Sequence, residues 1–203
     1  MSHITLINHT NEVVRLAIFR QSVRTPTLAT IAWRIAVPPP GGGNEVIQIP
    51  LNFSVLARYS SRPANPSDLD TETAAVPFAE TTAAFTIDAV ESADHQASAA
   101  VITQRFTDLV LDEVRVVNNY SIGCEVRICQ DGDPIYAPQV LWPGGLFIEN
   151  IRSSFHVAVV SQSTASGQKL IDEEISQTRI EALEGSTIIV NGSMWTGSSL
   201  TQG

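Results

Sequence analysis

Hydrophobic and polar residues alternate along this chain in short runs. Val14, Leu16 and Ile18 are set against Val13, Arg15 and Ala17, and residues 4–7, 31–37 and 51–59 carry a similar β-rich signature. Alternation of this kind lines one face of a strand with apolar groups and leaves the other face for solvent. The runs stop at clusters that suit turns, Asn8-His9-Thr10-Asn11 and Pro38-Pro39-Pro40-Gly41-Gly42-Gly43-Asn44. Proline has no N–H for a ladder and glycine prefers a turn, so the second cluster reads as a loop. Short strands at close spacing predict an all-β fold, a sandwich or barrel. Residues 170–184 are ambiguous. Ile171, Ile175, Thr178 and Ala182 share a helical face, but the β-branched alternation favours a strand over 176–183, and a helical turn near 170–175 remains compatible with it.

The pattern also repeats. Ile4-Thr5-Leu6-Ile7-Asn8-His9 matches Val114-Arg115-Val116-Val117-Asn118-Asn119, and residues 15–20 match 125–130 with no gap. Trp33 matches Trp142, Pro40-Gly41-Gly42 matches Pro143-Gly144-Gly145, residues 47–55 match 148–157, and residues 86–92 match 179–185. Blocks in one order predict an internal duplication. The expected architecture is a β-sandwich built from two tandem repeats with a pseudo-twofold relation. Its expected domains are 1–107, with an acidic Ala/Thr-rich insertion, and 108–203, ending in a flexible tail over 196–203.

Charge sharpens this picture. The net charge is −9, yet residues 63–104 hold no Lys or Arg and seven of the 21 acids. The remainder is close to neutral. Stretches 61–75 and 91–100 read as solvated excursions of the first copy. An acidic chain lacks the basic clusters that nucleic acid requires, and no apolar run is long enough for a membrane helix. No leader with a basic start and an apolar core is visible, and free cysteines fit a reducing compartment, so a cytoplasmic location is expected. Cys124 and Cys129, five apart on one strand, lie on opposite faces about 17 Å apart and cannot bridge.

Candidate chemistry is sparse. Asp131-Gly132-Asp133-Pro134 could offer two carboxylates to a metal, but Asp-Gly and Asp-Pro are turn formers and no calcium-loop spacing follows. His3, His9, His95 and His156 form no ligand pair, and no serine sits in a nucleophile elbow. Neither a metal nor a cofactor is expected. Trp33, Trp142 and Trp195 are the candidate ligand-binding residues, since aromatics at loop bases can stack on a sugar face. Burial as core plugs is the preferred reading for the first two.

The succession Ile7-Asn8-His9-Thr10, Ile18-Phe19-Arg20-Gln21, Ile31-Ala32-Trp33 and residues 44–55 resembles the bacterial rhizosphere-induced protein family. Those proteins carry an Asn-Asn-Ser turn, a Cys-Val-Tyr-Gln strand, a Leu-Ala-Trp block and an aromatic strand in that order. The chain departs from the pattern at Ile18, where the family has cysteine, and in its acidic segment. The resemblance covers about the first sixty residues and implies a non-enzymatic, cytoplasmic β-protein. The expected function is therefore structural: self-association into a homo-oligomer or larger assembly. The alternative is a carbohydrate or small-ligand binding module.

Overall fold

The alternating runs become strands. The computed structural model describes residues 2–60, 68–79, 82–91, 98–107, 109–151, 154–193 and 197–203. In chain order the elements are β1 (Ser2–Asn8), β2 (Arg15–Phe19), β3 (Arg34–Ala36), β4 (Gly43–Ile49), β5 (Phe53–Tyr59), β6 (Thr71–Glu72), β7 (Val76–Phe78), β8 (Ala83–Glu91) and β9 (Ser98–Arg105). There follow β10 (Val114–Asn118), β11 (Cys124–Gln130), β12 (Asp133–Pro134), β13 (Gln139–Leu141), β14 (Leu146–Glu149), β15 (Phe155–Val160), α1 (Asp172–Ser176), β16 (Ile180–Ala182), β17 (Thr187–Ser193) and β18 (Gly197–Gln202). The described residues are thus nearly all β. No described helix is long and apolar enough to cross a membrane.

The chain divides into two compact units that are not contiguous in sequence. Unit 1 is residues 1–21, 28–50 and 152–203, and unit 2 is residues 22–27 and 51–151. The expected boundary after residue 107 separates sequence blocks, whereas each unit takes strands from both sides of it.

Unit 1 has two sheets. One has the order β18-β17-β1-β4, with β1 parallel to β17 and antiparallel to β4. The other runs β16-β15-β2-β3, with all pairs antiparallel. Ile4, Leu6, Leu16, Ile18, Phe155, Val157, Ile188 and Val190 are buried. The β18-β17-β1-β4 sheet turns one apolar face inward, whereas β2 and β15 bury residues on both of their faces. Helix α1 packs on β15 through Ile175, which joins Phe19, Val160 and Leu170 in the core.

Unit 2 has one sheet of order β14-β10-β8-β9, with β10 parallel to β8 and antiparallel to β14. In the other, β11 pairs with β5, β12 and β13, and β5 also pairs with β6 and β7. Aromatics fill its core: Phe78 packs between Phe53 (5.5 Å) and Phe85 (5.3 Å), and Tyr59 meets Tyr120 edge-on at 5.7 Å.

Corresponding turns recur in the two units. Asn8 and Asn118 are both fully buried. The Asn8 amide donates to the carbonyls of Glu12 (2.9 Å) and Pro38 (3.2 Å), and the Asn118 amide to those of Ile122 (2.9 Å) and Leu141 (2.8 Å). Each side-chain oxygen accepts the N–H two residues on, from Thr10 at 3.0 Å and Tyr120 at 2.9 Å. A short amide side chain can bind its own turn in this way, and no apolar residue replaces it.

Two expectations need correcting and a third is met. Residues 197–202 are not a free tail but β18, paired with β17 in full register and ended by a bond from Gly203 N–H to Thr187 O at 2.9 Å. Ser and Thr read as loop formers, but beside a paired strand Thr has good β-propensity. Residues 170–184 do hold a helical turn, α1, and then a strand within 176–183, the three-residue β16. The match of residues 86–92 to 179–185 fails as a structural equivalence. Within that pair of blocks, β8 lies beside β10, and β16 lies beside β15 in a sheet of the other kind. Both segments alternate, and alternation alone does not say which sheet a strand joins. Of the excursion at 91–100, residues 98–100 begin β9, and 92–97 lie outside the described residues, as do 61–67.

The connector after β9 is exposed, with Phe106 at 77% and Leu111 at 81%, and is open to chymotrypsin. Cutting there leaves two fragments that are both needed by each unit. The nicked protein is expected to keep the native elution volume and to separate only in denaturant. Release of two folded halves under native conditions would contradict the interleaved units.

Candidate functional site

The tryptophans part company. Trp33 is fully buried in unit 1, stacked on Phe155 at 5.3 Å, with the Arg34 guanidinium 4.8 Å from its ring. Arg20 lies 3.9 Å above the Phe155 ring. Trp33 is therefore a core plug and not a ligand platform. Trp142 is 65% exposed in the turn after β13. Gly123 lets the indole settle there, because a Cβ on Gly123 would lie 3.1 Å from the ring. Trp195 lies outside the described residues. The two tryptophans that match in sequence do not match in pairing. Trp33 N–H bonds Ile18 O at 2.9 Å, and the residue that bonds Ile128 O, at 3.0 Å, is Ile135.

The cysteines are buried on both faces of β11. Cys124 stands opposite Tyr59 and Leu141, and Cys129 stands between Ser54 and Pro134. Burial pushes the Cys124 thiol up to about 11 and raises that of Cys129 as well, with Arg127 opposing and Glu72 reinforcing the rise. A thiol held in this way is almost wholly protonated at neutral pH and a poor nucleophile. His3, His9 and His156 belong to unit 1, where His156 stacks on Phe19 at 5.6 Å. No described histidine accompanies the cysteines within unit 2.

Asp131 and Gly132 have φ of 55° and 82° and form the two-residue hairpin turn between β11 and β12. Positive φ at both positions is the geometry that Asp-Gly suits. Among the described residues no three His, Cys, Asp or Glu side chains gather closely enough to hold a metal.

Sequence reasoning missed Glu149. It is fully buried at the end of β14. Its carboxylate accepts the N–H groups of Val23 (2.8 Å), Arg24 (3.1 Å) and Asn150 (2.9 Å), and also the Ser22 hydroxyl. A buried carboxylate is tolerated only when its oxygens are filled, and here the donors fix residues 22–27 to unit 2. Beside it an open cleft of about 290 Å³ is lined by Arg24, Thr25, Glu113, Leu146 and Ile148. Its charges answer each other: Glu113 takes Arg115 at 2.7 Å and Arg24 at 3.4 Å. The one sequence signal for Glu149 was an acid at the end of an apolar run, which a strand end provides routinely.

No family model, curated protein or solved structure matches the chain. The site therefore rests on its own geometry.

The Cys124 thiol titrates near 9 when unfolded and near 11 when folded. Folding thus favours the protonated thiol. Its contribution is complete below pH 9 and fades as pH rises through 11. Urea midpoints measured from pH 8 to 11 should fall more steeply for the native protein than for Cys124→Ala, which removes that titration. Parallel curves would refute the assignment.

Proposed function

We propose that the chain is a duplicated, non-enzymatic β-sandwich protein that works by self-association. The outer face of the unit 1 sheet carries this reading. From β1 it presents His3, Thr5 and Ile7, from β4 Asn44, Val46 and Gln48, from β17 Thr187, Ile189 and Asn191, and from β18 Ser199 and Thr201. Neighbouring strands align them in rows, Val46–Thr5–Thr187 and Asn44–Ile7–Ile189–Thr201. None of these residues is Asp, Glu, Lys or Arg, in a chain of net charge −9. The net charge opposes close approach of two such molecules, and a face without charged side chains lets them meet without adding to that repulsion. Strand β18 closes the sheet as an edge with no proline and no charge, the devices that ordinarily discourage edge pairing. Strand β9, at the edge of the corresponding unit 2 sheet, is uncharged from Ser98 to Gln104.

The duplication is supported by the like pairing senses of the two units and by the twin Asn8 and Asn118 turns. On this reading each unit joins the first half of one repeat to the second half of the other. The low reactivity expected of both thiols supports a role without covalent chemistry, and free thiols suit a reducing compartment. The resemblance of the first sixty residues to rhizosphere-induced proteins agrees with a non-enzymatic role and adds no activity.

A second reading, glycan binding, is favoured by the exposure of Trp142 alone. Replacement Trp142→Ala should abolish any signal on a glycan array if the indole is the platform. A blank array with the native protein would end this reading.

Sedimentation velocity tests self-association. The oligomer fraction should rise with added salt, which screens the net charge, and should fall in Val46→Glu/Thr201→Glu at unchanged thermal stability. A strict monomer at every concentration and salt would refute the proposal.

A further inference from the structure

We infer that the cleft lined by Arg24, Thr25, Glu113, Leu146 and Ile148 binds a small organic carboxylate with an apolar tail, its charge held by Arg24 and Arg115. The site lies within unit 2 and does not depend on the uncharged unit 1 face. Leu146 and Ile148 of β14 form its floor. Across the ladder Arg115 of β10 stands opposite Ile148, and Val117 opposite Leu146. Residues 22–27, bound to Glu149 at the end of β14, supply Arg24 and Thr25 as a wall. Leu146 is 49% exposed and lies two residues further from the charges than Ile148, so an apolar tail can cover it. At about 290 Å³ the cleft stands at the small end of ligand sites, roughly 300–1,000 Å³, which suits a short acid and not a nucleotide.

One acid serves two arginines here. The Glu113 side chain is only 7% exposed. One of its oxygens accepts Arg115 Nε–H at 3.1 Å and Nη2–H at 2.7 Å, and the other accepts Arg24 Nη2–H at 3.4 Å. Arg24 Nε–H donates to Asn150 Oδ1 at 2.7 Å. Glu149 is no second counter-ion for the cleft. It follows Ile148 on the strand and so points to the opposite face, where four donors fill it. Both guanidinium groups are thus fixed by their Nε–Nη2 edge, and among the described residues no acceptor meets the Nη1 of either. A guanidinium held in place with N–H groups open suits a carboxylate, and fixing it beforehand lowers the ordering cost of binding. The sheet itself does not require these charges. In unit 1 the matching pairs are Thr5 with Val46 and Ile7 with Asn44, and His3 occupies the place of Glu113.

Titration of the full-length labelled protein with phenylacetate, followed by nuclear magnetic resonance, tests the site. Phenylacetamide serves as the uncharged probe of like shape. The acid should give saturable shifts at the Leu146 and Ile148 methyl groups and at the Nε–H of Arg24 and Arg115, and the amide should bind about tenfold more weakly. Arg24→Gln keeps the backbone N–H that binds Glu149. It should weaken the acid severalfold and leave the amide unchanged. Leu146→Asp changes a half-exposed position and guards against loss of folding in the first variant. It should abolish binding of the acid while the rest of the spectrum stays native. Absence of saturable shifts with the acid, equal affinity for acid and amide, shifts confined to other residues, or an affinity for the acid that neither variant lowers would each overturn the inference.

Discussion

Strand β5 pairs with β11, and β2 pairs with β15, although β2 and β5 lie in one half of the chain and β11 and β15 in the other. The rest of the structure depends on this choice of partner. Charge enforces it. Arg58 of β5 stands opposite Glu125 of β11, 4.0 Å from its carboxylate. In the β15 position, the residue at the place of Arg58 is Val160, which faces Arg15. Had β5 taken that position against β2, Arg58 would oppose Arg15, and like charges directly across a ladder are destabilising. Aromatic contacts accompany it. Phe155 already stacks on Trp33, and Phe53 on Phe78. Each of these phenylalanines is matched to the aromatic that its own unit supplies.

With those pairs set, the polar residues fall into place. The buried amides of Asn8 and Asn118 hold the turns that follow the central strand of each parallel pair. Glu149 draws residues 22–27 onto unit 2 with donors that would otherwise face solvent. The Arg115–Glu113 and Arg127–Glu125 contacts, each two N–H groups of an arginine on one carboxylate oxygen of the residue two before it, keep charge local to unit 2. The unit 1 sheet β4-β1-β17-β18 is left with an uncharged outer face. The proposed self-association would use this face.

Much of this was legible in the sequence. The period of two in residues 15–19 and 53–59 marked real strands, and the Asp131-Gly132 turn and the unbridged cysteines followed from local chemistry. Matching blocks such as Phe53-Ser54-Val55 and Phe155-His156-Val157 were legible as strands, but not the partner of each block. A strand's alternation encodes its two faces and says nothing of which neighbour supplies its hydrogen bonds. That is why domains drawn as halves of the chain became interleaved units. Trp33 and Trp142 looked alike because each stands near a Pro-Gly turn. The ladder bonds, absent from the sequence pattern, give Ile135 the place that matches Trp33. Glu149 was invisible because its worth comes from donors 125 to 127 residues away.

Backbone proton contacts across the ladders test the cross-half pairing most directly. Nuclear Overhauser effects on the labelled full-length protein should link Ala57 with Val126 and Ala17 with Ala158. Effects linking Leu16 or Ala17 with Leu56 or Ala57 would place β5 against β2 and contradict the account.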